Sequence, residues 1–179
     1  MADALLAPAV AATMYAASTV TAGASIVKMN REEKFDHELA AKKLPTMAVM
    51  SALVFAGQMI NYTIPGTGSS GHICGGMLLT SVLGPWAGFL SMIAVLAIQC
   101  LFFADGGLMA LGANIWNMAF YGCFVGYFLI YRPIMHSNCF SGKGEKAARR
   151  LKIIAASVIG CIVTLQLGAF SVVVETSLS

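Results

Sequence analysis

His72 is the residue whose type and setting most directly offer chemistry. It follows the run Gly66-Thr67-Gly68-Ser69-Ser70-Gly71 and is the only histidine outside two heavily charged stretches. A neutral imidazole is a common transition-metal ligand, and it can equally hydrogen-bond to nearby backbone. A second nitrogen donor is the terminal amine of Met1. Such an amine has a pKa of about 8, so a metal can displace its proton at neutral pH. An amine and an imidazole suit Ni(II), Co(II) or Cu(II) better than Mg(II) or Ca(II).

Other chemistries fit less well. The glycine run spells GxGxxG, but a dinucleotide fingerprint needs a strand before it and a βαβ unit around it. Here it lies between apolar segments, which predicts a tight, irregular turn using glycine's backbone freedom. Ser69, Ser70 and His72 fall within one turn, a poor geometry for a nucleophile and its base. No phosphate-binding GxxxxGK[ST] loop occurs, so this chain does not hydrolyse ATP by itself and is not read as an enzyme. The five cysteines, Cys74, Cys100, Cys123, Cys139 and Cys161, form no CxxC and read as packing residues. The 11 methionines are scattered, unlike a copper-handling cluster.

The elements that position these groups follow from the charges. Of 179 residues, 58% are hydrophobic, only 11 are Lys or Arg and only 8 are Asp or Glu; the mean hydropathy is +0.78. This excludes disorder, a coiled coil and almost every soluble enzyme. Uncharged runs of 24, 61, 26 and 22 residues separate Asp3 from Lys28, Lys43 from Asp105, Asp105 from Arg132, and Lys152 from Glu175. A helix of about 20 apolar residues crosses a bilayer. The fold class is therefore an all-α, polytopic membrane bundle.

Sixteen of the 19 charges fall in residues 28–43 and 132–152, which carry five and six basic residues. The positive-inside rule places both stretches in the cytoplasm, as solvated loops rather than a nucleic-acid surface. An even number of spans must then join them. Residues 73–104 would make about 48 Å of helix, too long for one span, and Gly84-Pro85 divides them. The expected spans are 4–27, 45–64, a short 73–83, 85–104, 107–131 and 153–175, about six in all, with cytoplasmic loops 28–44 and 132–152. Residues 1–179 form a single integral membrane domain. The first span, lacking a basic start, reads as retained rather than as a cleaved signal. This topology puts Met1, Asp3, His72 and Asp105 on the outer side.

Small residues spaced four apart, such as Ala7 and Ala11 or Gly122 and Gly126, allow close helix approach. Gln58, Asn61, Asn114 and Asn117 are polar groups in or at the ends of spans. Asn114 and Asn117 share a helix face. They could glue helices together or orient a metal ligand.

The stretch QMINYTIPGTGSSGHICGGMLLTSVLGPWAGFLSMIAVLAIQCLFFADGGLMALGANIWNMAFYG resembles the CbiM/NikM family. These are substrate-specific membrane components of energy-coupling-factor transporters for cobalt or nickel. The resemblance runs from Met1 to Glu175 and is densest over Gln58–Gly122, with GTGSSGH, LGPWA, FFADGGLMALGAN and NM in order. It implies that the chain captures Ni²⁺ or Co²⁺ outside the cell membrane of a prokaryote, with no intrinsic cofactor. It also implies partners: a transmembrane coupling subunit, a pair of cytoplasmic ATPases and a small accessory membrane subunit. In the family, nitrogens hold the metal: the terminal amine, the backbone nitrogen and imidazole of a histidine at position two, and the histidine of the SGH turn. The last corresponds to His72, and the amine to that of Met1. The family usually opens Met-His-x-x-Asp, whereas this chain opens Met1-Ala2-Asp3. Either a Met-His pair precedes Met1, or the second imidazole is missing and chelation is weaker. Family members also continue past Glu175 into a further membrane segment. The alternative function is an assembly or accessory membrane protein without its own metal site.

Overall fold

The computed structural model describes residues 6–35, 37–65, 69–137 and 144–179. Helices α1 (Pro8–Phe35) and α2 (His37–Gln58) run antiparallel, and a 3.1 Å Lys43–Glu32 salt bridge ties the last turns of α1 to the first turns of α2. A hairpin follows, with strands β1 (Asn61–Ile64) and β2 (Ser69–His72). Next come α3 (Gly76–Leu83), α4 (Pro85–Phe103) and a short α5 (Leu111–Asn114). The last continues as a π-helix (Ile115–Tyr131) and one closing turn, α6 (Arg132–His136); α7 (Glu145–Ser177) completes the bundle.

Among the described residues, four helical runs are long and apolar enough to cross a membrane: Pro8–Glu32, Pro85–Phe103, Leu111–His136 and Glu145–Ser177. With α2 and the short α3 they make the helical bundle that the charge gaps predict. Large side chains such as Val20, Leu53, Phe102 and Phe170 stay exposed on its outside. That is expected where lipid is the solvent. The protein is a multi-pass membrane protein.

Several boundaries differ from the sequence reading. The charged residues 28–43 do not make a loop: α1 continues to Phe35 and α2 begins at His37. Lys, Arg, Glu and Ala are good helix formers, so charge ends the apolar span without ending the helix. At the other end, α2 stops at Gln58, short of residue 64. Tyr62, Thr63 and Ile64 favour strand, and β1 pairs with β2 in the register Asn61↔His72 to Ile64↔Ser69. Ser69–Gly71 are thus strand rather than irregular turn; Gly66, Thr67 and Gly68 lie outside the described residues. The second charged stretch is also helical at both ends, in α6 and in the first turns of α7.

Gly84-Pro85 divides the chain as expected. Gly84 has φ +82°, a left-handed value that glycine tolerates, and Pro85 opens α4, where its missing N–H costs nothing. This break lets α3 turn into the middle of the bundle. Met77 and Leu79 are fully buried there, in contact with α2, α4, the π-helix and α7. The core around α3 holds Val54, Phe89, Met92, Val95, Leu96, Ile115, Ala119 and Cys123. Gly76 and Gly122 permit the closest approach, since a Cβ on Gly76 would lie 3.0 Å from the Gly122 Cα. The π-helix was not foreseen. Its last turn shows the wider spacing, with the Arg132 N–H donating to the Tyr127 carbonyl.

Candidate metal site

The helix ends sort into two groups. Residues 28–43 close one end of the bundle, and Lys152 Nζ donates to the Met135 carbonyl at 3.4 Å where the second basic stretch folds over. The opposite end carries the start of α1, the end of α2, the hairpin, the end of α4, the start of the π-helix and the end of α7. The residues around the expected ligands gather at this hairpin end.

His72 closes β2 and leads through residues 73–75 into α3. Two contacts fix this backbone. A Cβ on Gly71 would sit 2.6 Å from the Tyr62 ring, and one on Gly75 would sit 2.2 Å from Val54 Cγ1. Gly75 requires glycine because buried Val54 occupies the space, whereas at Gly71 the neighbour is the far end of the exposed Tyr62 side chain, which can swing aside. The end of α2, just before the hairpin, is pinned as well. Gln58 and Gln99 are both buried, and Gln99 Nε2 donates to Gln58 Oε1 at 3.0 Å. The Gln58 amide in turn approaches Met92 Sδ at 4.0 Å. An interhelical amide bond of this kind contributes about 1 kcal/mol in a membrane. Gln58 therefore serves as helix glue; its partner Gln99 was missed because nothing in an apolar helix marks which amide will meet another.

The start of α1 is held on the segment after α4. Leu6 is only 6% exposed and packs against Ala110 and Ala113. The Tyr15 hydroxyl donates to the Leu108 carbonyl, and Ser18 Oγ donates to the Gly112 carbonyl at 2.9 Å. A Cβ on Gly112 would meet the Tyr15 nitrogen at 2.8 Å, so only glycine lets the two backbones touch. Leu6 and the start of α1 are thus a well-anchored point.

Ala110, Ala113, Asn114 and Asn117 follow helical spacing along one face. Asn117 Nδ2 donates to Glu175 Oε2 at 3.0 Å, and Ser171 Oγ donates to Glu175 Oε1 at 3.4 Å. Tyr121 reaches Ser171 at 3.3 Å. Glu175 is 1% exposed, and Asn117 Oδ1 is buried with no hydrogen-bond partner. The sequence reading placed Glu175 only as the end of the last span. A charge in an apolar helix was the available signal; the partner 58 residues away was not.

The expected ligand atoms themselves lie outside the described residues. That holds for Met1 and its amine, for Asp3 and for the His72 imidazole, although the His72 backbone is placed. Asp105 sits in the turn after α4, its N–H donating to the Gln99 carbonyl at 3.1 Å. Among the described residues, no three His, Cys, Asp or Glu side chains gather as a metal-holding group. Cys74, Cys100, Cys123 and Cys161 are free thiols; Cys123 is fully buried, with Sγ 3.6 Å from the Gly76 carbonyl.

Comparison with known proteins gives this end of the bundle its context. A family profile described as "Cobalt uptake substrate-specific transmembrane region", CbiM, matches residues 1–179. A protein of Archaeoglobus fulgidus bearing the name NikMN is 52% identical over 103 residues, which are 57% of this chain and 34% of that protein. The fused nickel transport protein NikMN of Rhodobacter capsulatus is 42% identical over 89 residues, 50% of this chain and 25% of its own length. The chain thus spans about a third or less of these two relatives. A solved structure of a truncated transition metal transporter is 36% identical, with a TM-score of 0.78, covering 98% of this chain and 73% of that one. The chain belongs to the CbiM family of cobalt uptake substrate-specific transmembrane regions.

Proposed function

We propose that this chain is the substrate-capture membrane subunit of an ATP-driven, energy-coupling-factor importer of Co²⁺ or Ni²⁺. One observation carries the reading: the cobalt-uptake profile extends over residues 1–179. The nickel transport name of the Rhodobacter capsulatus relative supports the second ion. Both ions accept nitrogen ligands, and affinity rises modestly from Co²⁺ to Ni²⁺. The metal is cargo, taken up through the His72 imidazole and the amino-terminal nitrogens, provisionally the amine of Met1. The positive-inside rule puts the hairpin end outside the plasma membrane of a prokaryote and the basic end in the cytoplasm. A coupling membrane subunit, a pair of ATPases and a small accessory subunit supply the energy and the passage inward, since this sequence has no phosphate-binding loop of its own.

Uptake in cells supplying those partner subunits tests the proposal. Accumulation of Co²⁺ or Ni²⁺ is expected to require both this chain and active partner ATPases. Equal accumulation without the chain, or with the ATPases inactivated, would overturn it.

A further inference from the structure

The first turns of α7 carry a basic face that metal capture does not use. Lys146, Arg149 and Arg150 are exposed, and among the described residues no carboxylate lies within ion-pair distance of them. Their spacing of three and four puts them on one side of the helix. Glu145 stands one turn before Arg149, and the two do not pair.

This face leads directly into the lipid-facing surface of the same helix. In steps of four, Lys146 and Arg150 are followed by Ile154, Val158 and Ile162, and these three are 53–59% exposed. Residues four apart lie one above the other along a helix. The depth also fits. The 22 uncharged residues between Lys152 and Glu175 make about 33 Å of helix, against about 30 Å of hydrocarbon core. Lys152 therefore marks the edge of the core, and Arg150 and Lys146 stand about 3 and 9 Å beyond it. A headgroup layer is about 5–8 Å thick. The basic groups thus lie at phosphate level, directly above the apolar stripe.

The composition of the stripe indicates what covers it. Helices that pack on one another in a membrane approach through small residues. On α7, Gly160 and Gly168 are on the buried side, already packed within the bundle. The exposed line offers branched apolar side chains instead, a surface suited to acyl chains. A guanidinium meets a phosphate with two parallel N–H bonds. We propose that this face of α7 binds an anionic phospholipid. Arg149, Arg150 and Lys146 hold its phosphate, and its chains lie along Ile154, Val158 and Ile162.

The test uses the purified full chain in detergent, titrated with dioleoyl phosphatidylglycerol or dioleoyl phosphatidylcholine, with bound lipid counted by native mass spectrometry. Phosphatidylglycerol is expected to bind in preference to phosphatidylcholine. Each basic residue at an anionic headgroup contributes about fivefold to binding. Arg149→Gln combined with Arg150→Gln is therefore expected to weaken phosphatidylglycerol about 20-fold. Phosphatidylcholine binding and the unfolding temperature are expected to stay unchanged. Lys28→Gln combined with Arg31→Gln removes two exposed charges near the end of α1, at the same end of the bundle, and is expected to change little. Unchanged phosphatidylglycerol affinity in R149Q/R150Q would overturn the proposal. So would equal losses in the two pairs, which would show diffuse surface charge. Displacement of the lipid by equimolar glycerol 3-phosphate would overturn it in favour of a free phosphate. Unchanged lipid affinity with lost capture of partner membrane subunits would overturn it in favour of a protein contact.

Discussion

A His72→Ala chain is expected to support no Co²⁺ or Ni²⁺ uptake in cells that supply the partner subunits. Groups that only orient a metal ligand contribute about 10–100-fold to affinity. Removing a nitrogen that binds the metal directly is expected to cost more than about 100-fold, or roughly 2.7 kcal/mol. The fold is expected to survive. His72 takes part in the hairpin through its backbone, opposite Asn61, and α3 is anchored separately by Gly75 against Val54 and by Gly76 against Gly122. Metal accumulation read beside thermal unfolding in detergent separates the two effects. Uptake at the unaltered level would remove His72 from the ligand set.

Gly112→Leu is expected to give the largest structural effect. A Cβ at this position already meets the Tyr15 nitrogen at 2.8 Å and its Cα at 3.0 Å. Backbone cannot rotate aside as a flexible side chain can, so α1 must move. Overpacking of this kind costs about 1–3 kcal/mol. The shift also breaks the Ser18 bond to the Gly112 carbonyl and lifts Leu6 from Ala110 and Ala113. Because α1 leads back to the amino terminus, metal uptake should fall together with stability. Gly23→Leu is the matched control, since nothing lies within 4 Å of a Cβ there. If both variants unfold at the temperature of the unaltered chain, the close docking of α1 on Gly112 is wrong.

What the sequence made legible depended on whether the cause was local. Gly84-Pro85 carries its own instruction, and α4 starts at Pro85 as that dipeptide requires. The apolar gaps located α1, α4, the π-helix and α7, because a membrane segment is fixed by length and composition. Their ends were less legible. Charge marks where apolar character stops, yet α1 and α7 run on into charged turns whose residues still favour helix. The hairpin was hidden for the opposite reason: NYTI is uncharged and so continued the uncharged run, and only pairing with SSGH makes it a strand.

The sequence supplied candidate ligands by residue type, but the contacts around them were not legible. His72 stood out as a lone imidazole after a glycine run. The Gln58–Gln99 pair spans 41 residues and the Asn117–Glu175 pair 58, and no spacing rule links such positions. Asn114 and Asn117 share a face, but the carboxylate that meets Asn117 comes from a helix whose rotation only packing decides. Gly160, Thr164, Gly168 and Glu175 form the buried stripe of α7, and it is this stripe that turns Glu175 inward.

The central claim is that this chain carries the cargo site itself, and metal titration of the purified protein with its amino terminus intact tests it most directly. Ni²⁺ and Co²⁺ are expected to bind at one ion per chain, with the absorption spectrum of a nitrogen-ligated metal that His72→Ala removes. The absence of stoichiometric binding to such a chain would contradict the account and leave it an accessory membrane role.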